Sequence, residues 1–355
     1  MCRIIFLPLF LGLFVITSLE VFATHDLKEV YINQFEKGES PLSILNNATS
    51  KTTYVLTQKN IYTLSNKRLA KYYTSKDNIY CVFTNDSSIW IGTDNGIHVI
   101  QLKDKTSIKI AVDPSAKFYK VISIFKKGRD SLFIATDAYG LYKWEKLSGA
   151  KKINTIFPIN KGVSTSDSSI WIGSDAGLFR NKKGEWIRYN EEGVANFEIP
   201  DNIVQNLIVD DFGYLWVLMR DGVSVIDVKD HTKESASHHN EVHTHLPSVA
   251  FIGDHQNCIS DLTYIKKKGY VFATEMGLLW MPVKSDEELL ENFHHGEGEK
   301  IENKELLIKL NTSLINQEIG KVLFIVKNKN TVYLIGEKGV HALKGKELNK
   351  LLVRK

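Results

Sequence analysis

Cysteine is scarce in this chain, which has only three cysteines among its 355 residues. Cys2 lies in the N-terminal apolar stretch, so the rest of the chain keeps only Cys81 and Cys258. Two cysteines are too few for a disulfide framework, and stability must therefore come from a hydrophobic core. No C-x-x-C pair is present, which argues against a structural zinc site.

Clustered basic charge is also missing. Lysine and arginine total 45 against 41 acidic residues, for a net charge of +4, and no basic block is interleaved with aromatic residues. This distribution lacks the electrostatic footprint of a nucleic-acid-binding protein. With 43% hydrophobic and 24% charged residues, the composition is that of a folded globular chain.

The chain has one long apolar run, and it lies at the N-terminus. Arg3 precedes the apolar residues 4–16, and Val21-Phe22-Ala23 has small residues where a signal peptidase cleaves. The run is short for a membrane span. We therefore predict a signal peptide at 1–23 and a soluble mature protein in the periplasm or outside the cell. An uncleaved anchor or a buried N-terminal helix is the alternative.

A phrase that occurs twice dominates the rest of the sequence. "SSIWIGTDNGIHVI" begins at Ser87, and "SSIWIGSDAGLFR" begins at Ser168. The pattern W-I-G-T-D-x-G identifies seven copies, which begin at Tyr54, Trp90, Phe133, Trp171, Trp216, Val271 and Tyr333. Successive copies lie 36, 43, 38 and 45 residues apart, and then 55 and 62. A four-stranded propeller blade repeats about every 40–45 residues, so the spacing favours a propeller in which two blades carry insertions.

Each copy predicts a β-hairpin, because alternating β-branched and aromatic residues flank a D-x-G turn. A further strand on each side gives four strands per unit. The repeat positions are Trp90, Phe133, Trp171 and Trp216 on the strands, and Gly96, Gly140, Gly177, Gly222, Gly277 and Gly339 at the turns. We interpret the aromatic positions as core packing between blades. The acidic residue before each turn glycine is interpreted as a local cap of the turn.

The sequence therefore predicts an all-β fold, with residues 24–355 forming a single seven-bladed β-propeller of four-stranded blades. A closed ring of stacked blades buries both faces of each sheet and removes exposed edges. Two segments, residues 29–35 and residues 346–353, compete for the outer strand of the last blade. Cys81 and Cys258 would lie on first strands of non-adjacent blades, which predicts two free thiols.

The full repeat, "D-x-S-I-W-I-G-T-D-x-G-I-x-x-I", resembles the two-component regulator propeller repeat. The best matches are Asp86–Ile100, Asp167–Phe179 and Asp210–Val225. The resemblance implies a periplasmic or extracellular propeller, often the sensor region of a membrane-bound hybrid histidine kinase. No kinase follows the repeats in this sequence, so we expect any sensing to pass through a protein partner, such as an envelope sensor or a secretion or transport component.

Two insertions interrupt the repeat at about residues 228–248 and 284–305, each after the strand that follows the turn glycine. Equivalent joints in neighbouring blades predict that both loops project on the face opposite the D-x-G turns. Their candidate metal ligands are His238, His239, His243, His245, His294 and His295. Imidazole ligands suit zinc, copper or nickel. The alternative is a pair of polar surface loops that bind nothing.

Motifs of known enzyme classes are missing. No G-x-S-x-G motif or phosphate-binding glycine loop is present, and the arginines do not cluster. We therefore predict an exported, non-catalytic, sensor-like module that binds a protein or a ligand. Two alternatives stay open: a metal-handling protein that uses the histidine-rich loops, and a lyase or hydrolase whose residues converge on the axis from distant blades.

Overall fold

The computed structural model describes residues 34–47, 52–65, 68–85, 87–104, 106–113, 119–128, 131–145, 149–156, 158–190, 199, 201–220, 222–226, 228, 245–247, 259–283, 307–328 and 330–352. Among the helices of these residues, none is long and apolar enough to cross a membrane.

The strands form seven antiparallel sheets, six with four strands and one with three. Blade one contains β1 (Ser43–Asn47), β2 (Thr52–Leu56), β3 (Asn60–Ser65) and β4 (Arg68–Thr74). Blade two contains β5 (Ile79–Thr84), β6 (Ser88–Thr93), β7 (Gly96–Gln101) and β8 (Ser107–Ile110). Blade three contains β9 (Val121–Lys127), β10 (Ser131–Thr136), β11 (Gly140–Glu145) and β12 (Gly149–Asn154). Blade four contains β13 (Ile159–Ser164), β14 (Ile170–Ser174), β15 (Gly177–Lys182) and β16 (Glu185–Tyr189).

The last three blades complete the ring. Blade five contains β17 (Val204–Val209), β18 (Leu215–Met219), β19 (Gly222–Ile226) and β20 (His245–Pro247). Blade six contains β21 (Ile259–Ile265), β22 (Gly269–Thr274), β23 (Gly277–Met281) and β24 (Ile308–Lys309). Blade seven contains β25 (Val322–Asn328), β26 (Thr331–Gly336) and β27 (Val340–Lys344). The helix α1 (Ser313–Ile319) joins blades six and seven, and α2 (Gly345–Leu351) follows β27.

The first strand of each blade lies on the inside of the ring. First strands contact those of the neighbouring blades, and β1 contacts both β25 and β5, which closes the circle. The prediction of an all-β, seven-bladed propeller is therefore confirmed. Because each blade runs outward from its first strand, the turns between second and third strands share one face with the connections between blades. We call it the D-x-G face.

Aromatic side chains fill the space between blades. Trp216 of blade five is fully buried and meets Tyr270 of blade six, with ring centroids 4.9 Å apart. Trp90 of blade two packs against Trp144 of blade three at 4.8 Å. The buried aromatic strand positions thus contact the next blade rather than solvent. Aromatic contacts of this kind contribute both large buried area and preferred ring geometry.

The N-terminal segment, not the C-terminal one, forms a β-bridge at the edge of blade seven. Gln34 forms an antiparallel bridge with Gly339, and the Phe35 amide donates to the Lys338 carbonyl at 2.9 Å. Of the predicted strand 29–35, only residues 34–35 are described. The alternative strand at 346–353 is wrong, because residues 345–351 form α2, which buries Leu348 against the core.

Both insertions leave their blades between the third and fourth strands. The first predicted insertion, 228–248, contains β20, which pairs with β19 as the outer strand of blade five. The second, 284–305, is followed by the short outer strand β24. Third-to-fourth strand connections lie on the face opposite the D-x-G turns.

Candidate binding site on the D-x-G face

Six of the seven first strands contain a β-bulge at the same place. In each, the second residue of the strand is skipped by the pairing with the neighbouring strand. These residues are Tyr80, Ile122, Asn160, Gln205, Ser260 and Leu323. A bulge leaves one residue outside the ladder and re-aims its side chain, and such bulges are common beside functional sites. The repeat thus supplies a ring of re-aimed side chains around the axial opening.

Four of these bulge residues line one open cavity of about 620 Å³ on the D-x-G face. Its walls come from blades two to five and are formed by Tyr80, Lys120, Ile122, Asp137, Pro158, Ile159, Asn160, Asp175, Ile203 and Gln205. Ile122, Pro158, Ile159 and Ile203 contribute apolar surface. The other six lining residues carry polar or charged groups, so the cavity offers both apolar and hydrogen-bonding surface to a ligand.

The polar groups of the cavity are held in place by one another. The Asn160 amide donates to Asp175 Oδ1 at 2.6 Å and to the Val204 carbonyl at 3.1 Å. Lys120 Nζ lies 4.0 Å from Asp137 Oδ2 and 5.5 Å from the centre of the Tyr80 ring. The cavity lining therefore contains one lysine and two carboxylates. In the part of the chain that the structure describes, exposed Asp175 has no cationic partner.

In blades two and three, the acidic residue of the D-x-G turn does not cap its own turn, contrary to the sequence interpretation. Asp94 accepts the backbone N–H of Asn78 at 3.1 Å, and Asp137 accepts that of Lys120 at 2.8 Å. Both carboxylates therefore fix the chain where it enters the first strand of the same blade. The local cap is the preceding hydroxyl, since Thr93 Oγ1 donates to the Gly96 carbonyl at 2.8 Å and accepts the Asn95 amide.

Positive φ angles explain the turn glycines. Gly96, Gly140, Gly177 and Gly277 have φ between 91° and 111°. This region is accessible to glycine but strained for other residues. Gly222 and Gly339 begin or precede the third strands of blades five and seven.

One residue after the bulge, a second set of side chains ties each first strand to the next blade. Cys81 Sγ donates to the Val121 carbonyl at 3.3 Å, and Ser123 Oγ donates to the Gly162 carbonyl at 2.8 Å. The Asn206 amide donates to the Ser260 carbonyl at 3.3 Å, and Asp261 Oδ2 accepts the Ile325 amide at 2.9 Å. These side-chain contacts link the inner strands around the axis.

Burial shifts the titration of two of these residues. Burial raises the pKa of the Cys81 thiol to about 12, so it remains a protonated, free thiol at neutral pH. Burial also raises the pKa of Asp261 to about 7, although backbone N–H donors from Ile325 and Leu262 partly offset the effect. Cys258 lies outside the described residues.

The histidines predicted as metal ligands are not placed by the structure. His238, His239, His243, His294 and His295 lie outside the described residues, and of His245 only the backbone, in β20, is described. The metal prediction stays a prediction. Two other histidines are strand residues with partners: His98 Nε2 lies 3.0 Å from Asp77 Oδ2, and His341 Nδ1 lies 2.7 Å from Glu318 Oε2.

Sequence reasoning missed the cavity residues and the inner ring. The repeat pattern identified the second and third strands of each blade. It did not show how the first strand pairs with the second, so nothing in it marked the bulge residues. A weak signal was present: Lys161 and Asp261 are charged residues inside otherwise strand-like segments. Charged residues are seldom buried in a core without a partner, so both positions were candidates for the axis.

Comparisons with known proteins identify the fold. No protein-family model matches this chain, and no curated protein matches it. The extracellular domain of the one-component system BT4673 from B. thetaiotaomicron is 16% identical, with a TM-score of 0.62 over 88% of this chain and 39% of that one. The extracellular domain of the hybrid two-component system BT3049 from the same organism is 14% identical, with a TM-score of 0.57 over 88% and 41%.

A third similar structure is that of YCF48 bound to D1 peptide, 14% identical, with a TM-score of 0.54 over 89% of this chain and 94% of that one. At these identities the likeness establishes the fold alone. This chain spans about two fifths of the length of the two sensor structures. It is a seven-bladed β-propeller that resembles sensor extracellular domains and binding propellers.

Proposed function

We propose that this chain is an exported, non-catalytic binding propeller whose cavity on the D-x-G face receives a segment of a partner protein. The observation that carries the proposal is the convergence of four bulge residues, one from each of four consecutive blades, on a single cavity of about 620 Å³. The same register in each blade aims these side chains at one place. Structures of similar fold include sensor domains and a propeller with a bound peptide, which supports a binding role.

The chemistry of the cavity indicates what the segment carries. The apolar side chains of Ile122, Ile159 and Ile203 in the cavity lining suit an aliphatic or aromatic side chain. Asp137 and Asp175 outnumber Lys120 in the same lining, so a lysine or arginine beside that apolar residue would be favoured. We therefore expect a partner segment with an apolar anchor next to a basic residue.

The proposal includes membership of the two-component regulator propeller group and export through the predicted signal peptide. Three well-matched repeats and the similarity to sensor extracellular domains support both. In this role the propeller would pass a binding event to a separate envelope sensor or transport protein.

A pair of isoleucine variants tests the cavity. Ile122→Glu places a charge among the apolar residues that line the cavity. Ile108→Glu makes the same change on the outer strand β8, where Ile108 is 57% exposed. We expect partners captured from the native envelope by the wild type to lose roughly tenfold or more in affinity for Ile122→Glu and to bind Ile108→Glu normally. Melting curves check that both variants fold. Equal loss, or no loss, in the two folded variants would remove the cavity from the binding surface.

A further inference from the structure

Lys161 breaks the pattern of the inner ring. The residues in the same position on blades two, three, five and six each make a hydrogen bond to the next blade. Within the described part of the chain, the Lys161 ammonium has no hydrogen bond and no ion pair, although the residue is only partly exposed. Burying a cation without a partner is costly, so a structural role gives no reason for lysine at this position.

Strand register places Lys161 in the inner ring around the axis, because it follows the bulge residue of its first strand as Cys81 and Asp261 do. It interacts electrostatically with the Cys81 thiol and with the Asp261 carboxyl. These residues belong to the first strands of blades two and six, and Lys161 belongs to blade four, so no two of the three blades are adjacent. Interactions among them must therefore run across the axis. Lys161 also keeps part of its surface accessible.

Lys161 lies one residue beyond the cavity wall along β13. Asn160, the preceding residue, lines the cavity wall. Asp261 already accepts the backbone amide of Ile325 at 2.9 Å. Burial lowers the pKa of Lys161, whereas the Cys81 and Asp261 groups act to raise it. Because no described carboxylate lies within ion-pair distance of the Lys161 ammonium, a further negative group can bind there.

We propose that Lys161 is the anchor for a carboxylate of the ligand, reached through the cavity on the D-x-G face. The inference rests on the proposed binding function. It identifies the chemical group of the ligand that extends beyond the cavity to Lys161. An ammonium that is partly withdrawn from water binds a carboxylate more strongly than a fully exposed ammonium does. Either a small free acid or the C-terminus of a peptide could supply the carboxylate.

Three probes separate these sources: acetate, trialanine with a free C-terminus, and trialanine amide. Isothermal titration of the wild-type protein should show binding of acetate or trialanine and none of the amide. Tighter binding of trialanine than of acetate identifies a peptide C-terminus, and equal binding identifies a small acid. Binding of the amide as tight as that of the free acid, or no binding of either carboxylate, would overturn the proposal.

Lys161→Met removes the charge with little change in volume, and Lys266→Met is the matched control on the opposite face, where Lys266 is exposed. We expect at least a tenfold loss of carboxylate affinity for Lys161→Met and none for the control. The melting temperature of ligand-free Lys161→Met should equal or exceed that of the wild type, because an unpaired buried charge is removed. A lower melting temperature with unchanged affinity would assign Lys161 a structural role instead.

A measurement on the wild type keeps the proposal testable if the variant does not fold. Acetate should shift the backbone amide resonances of Asn160 and Lys161 more than those of the turn at Lys266. Shifts elsewhere only would contradict it. If Ile122→Glu abolishes partner binding while Lys161→Met does not, the cavity proposal stands and the carboxylate anchor fails. If carboxylates bind at Lys161 while Ile122→Glu binds the partner normally, the carboxylate anchor stands and the cavity proposal fails.

Discussion

At the scale of residues, polar side chains fix the position of the strand that contains Trp171. Asp167 accepts hydrogen bonds from Arg180 Nη2 at 3.0 Å, from Ser169 Oγ at 2.7 Å and from Thr165 Oγ1 at 2.6 Å. Arg180 is only 1% exposed and lies 5.0 Å from the centre of the Trp171 ring. Asp167 lies in the segment 166–169, which connects β13 to β14. Its partner Arg180 is thirteen residues away and meets it because β14 and β15 pair.

The Asp167 carboxylate should make stability depend on acid pH. Burial alone would raise its pKa, but hydrogen bonds from Thr165, Ser169 and Arg180 lower it to about 2. Because the folded-state pKa is below the unfolded value, its stabilising effect is present above about pH 4 and lost as the pH falls toward 2. We expect Asp167→Asn to lower the free energy of unfolding by about 2 kcal/mol at neutral pH. Denaturant unfolding at several pH values measures this, and a gap to the wild type that stays constant down to pH 2 would contradict it.

Gly92 is required by close packing rather than by backbone conformation. A Cβ at this position would lie 2.4 Å from Cys81 Sγ and 2.6 Å from the Val121 carbonyl oxygen. We expect Gly92→Ala to destabilise the protein by about 1–3 kcal/mol, because overpacking forces strands of two blades apart. Cys81→Ala should recover part of the loss, since it removes the closest of the three clashes, the other two being with Val121. Thermal unfolding of the single and double variants decides, and an unchanged melting temperature for Gly92→Ala would refute the packing argument.

At the scale of elements, blade one departs from the repeat in order to hold the N-terminal segment. Asn60 stands where other blades have the turn glycine, and its amide donates to Glu39 Oε1 at 2.5 Å. Thr57 Oγ1 donates to the same oxygen at 2.8 Å, and the Tyr62 hydroxyl donates to Glu39 Oε2. Glu36 adds an ion pair with Lys71 at 2.5 Å. The turn of blade one therefore binds residues 34–42, which lead from the edge of blade seven into β1. We call this N-terminal segment, with its contacts to the turn, the clasp.

Glu39→Ala should loosen this clasp. The substitution removes the nearer acceptor of buried Thr57 and Asn60 and leaves them only longer hydrogen bonds, to the Asn60 carbonyl and to Glu36, at a cost of about 1–3 kcal/mol. Hydrogen exchange should accelerate first at Phe35, whose amide bonds Lys338, and in β1. Glu185→Ala, an exposed glutamate on β16, is the matched control and should change neither exchange nor melting. Equal exchange rates in the two variants would show that the clasp is held elsewhere.

At the scale of the whole molecule, closure of the ring determines which residues can share a binding site. The ring brings first strands from all blades to one axis, so residues 180 positions apart, such as Cys81 and Asp261, share one channel with Lys161. It also brings four bulge residues to one cavity. Neither neighbourhood follows from local spacing, because both depend on how seven similar sheets stack.

The amino-acid sequence by itself determined the repeat, the number of blades and the buried aromatic positions, since these depend on short-range alternation and turn chemistry. The tertiary structure decided the rest. It showed that Thr93 rather than Asp94 caps a turn, that residues 345–351 form a helix, and that Asn60 serves a clasp. The physical reason is that strand pairing fixes which residues alternate, whereas bulges and blade packing fix which of them face the axis.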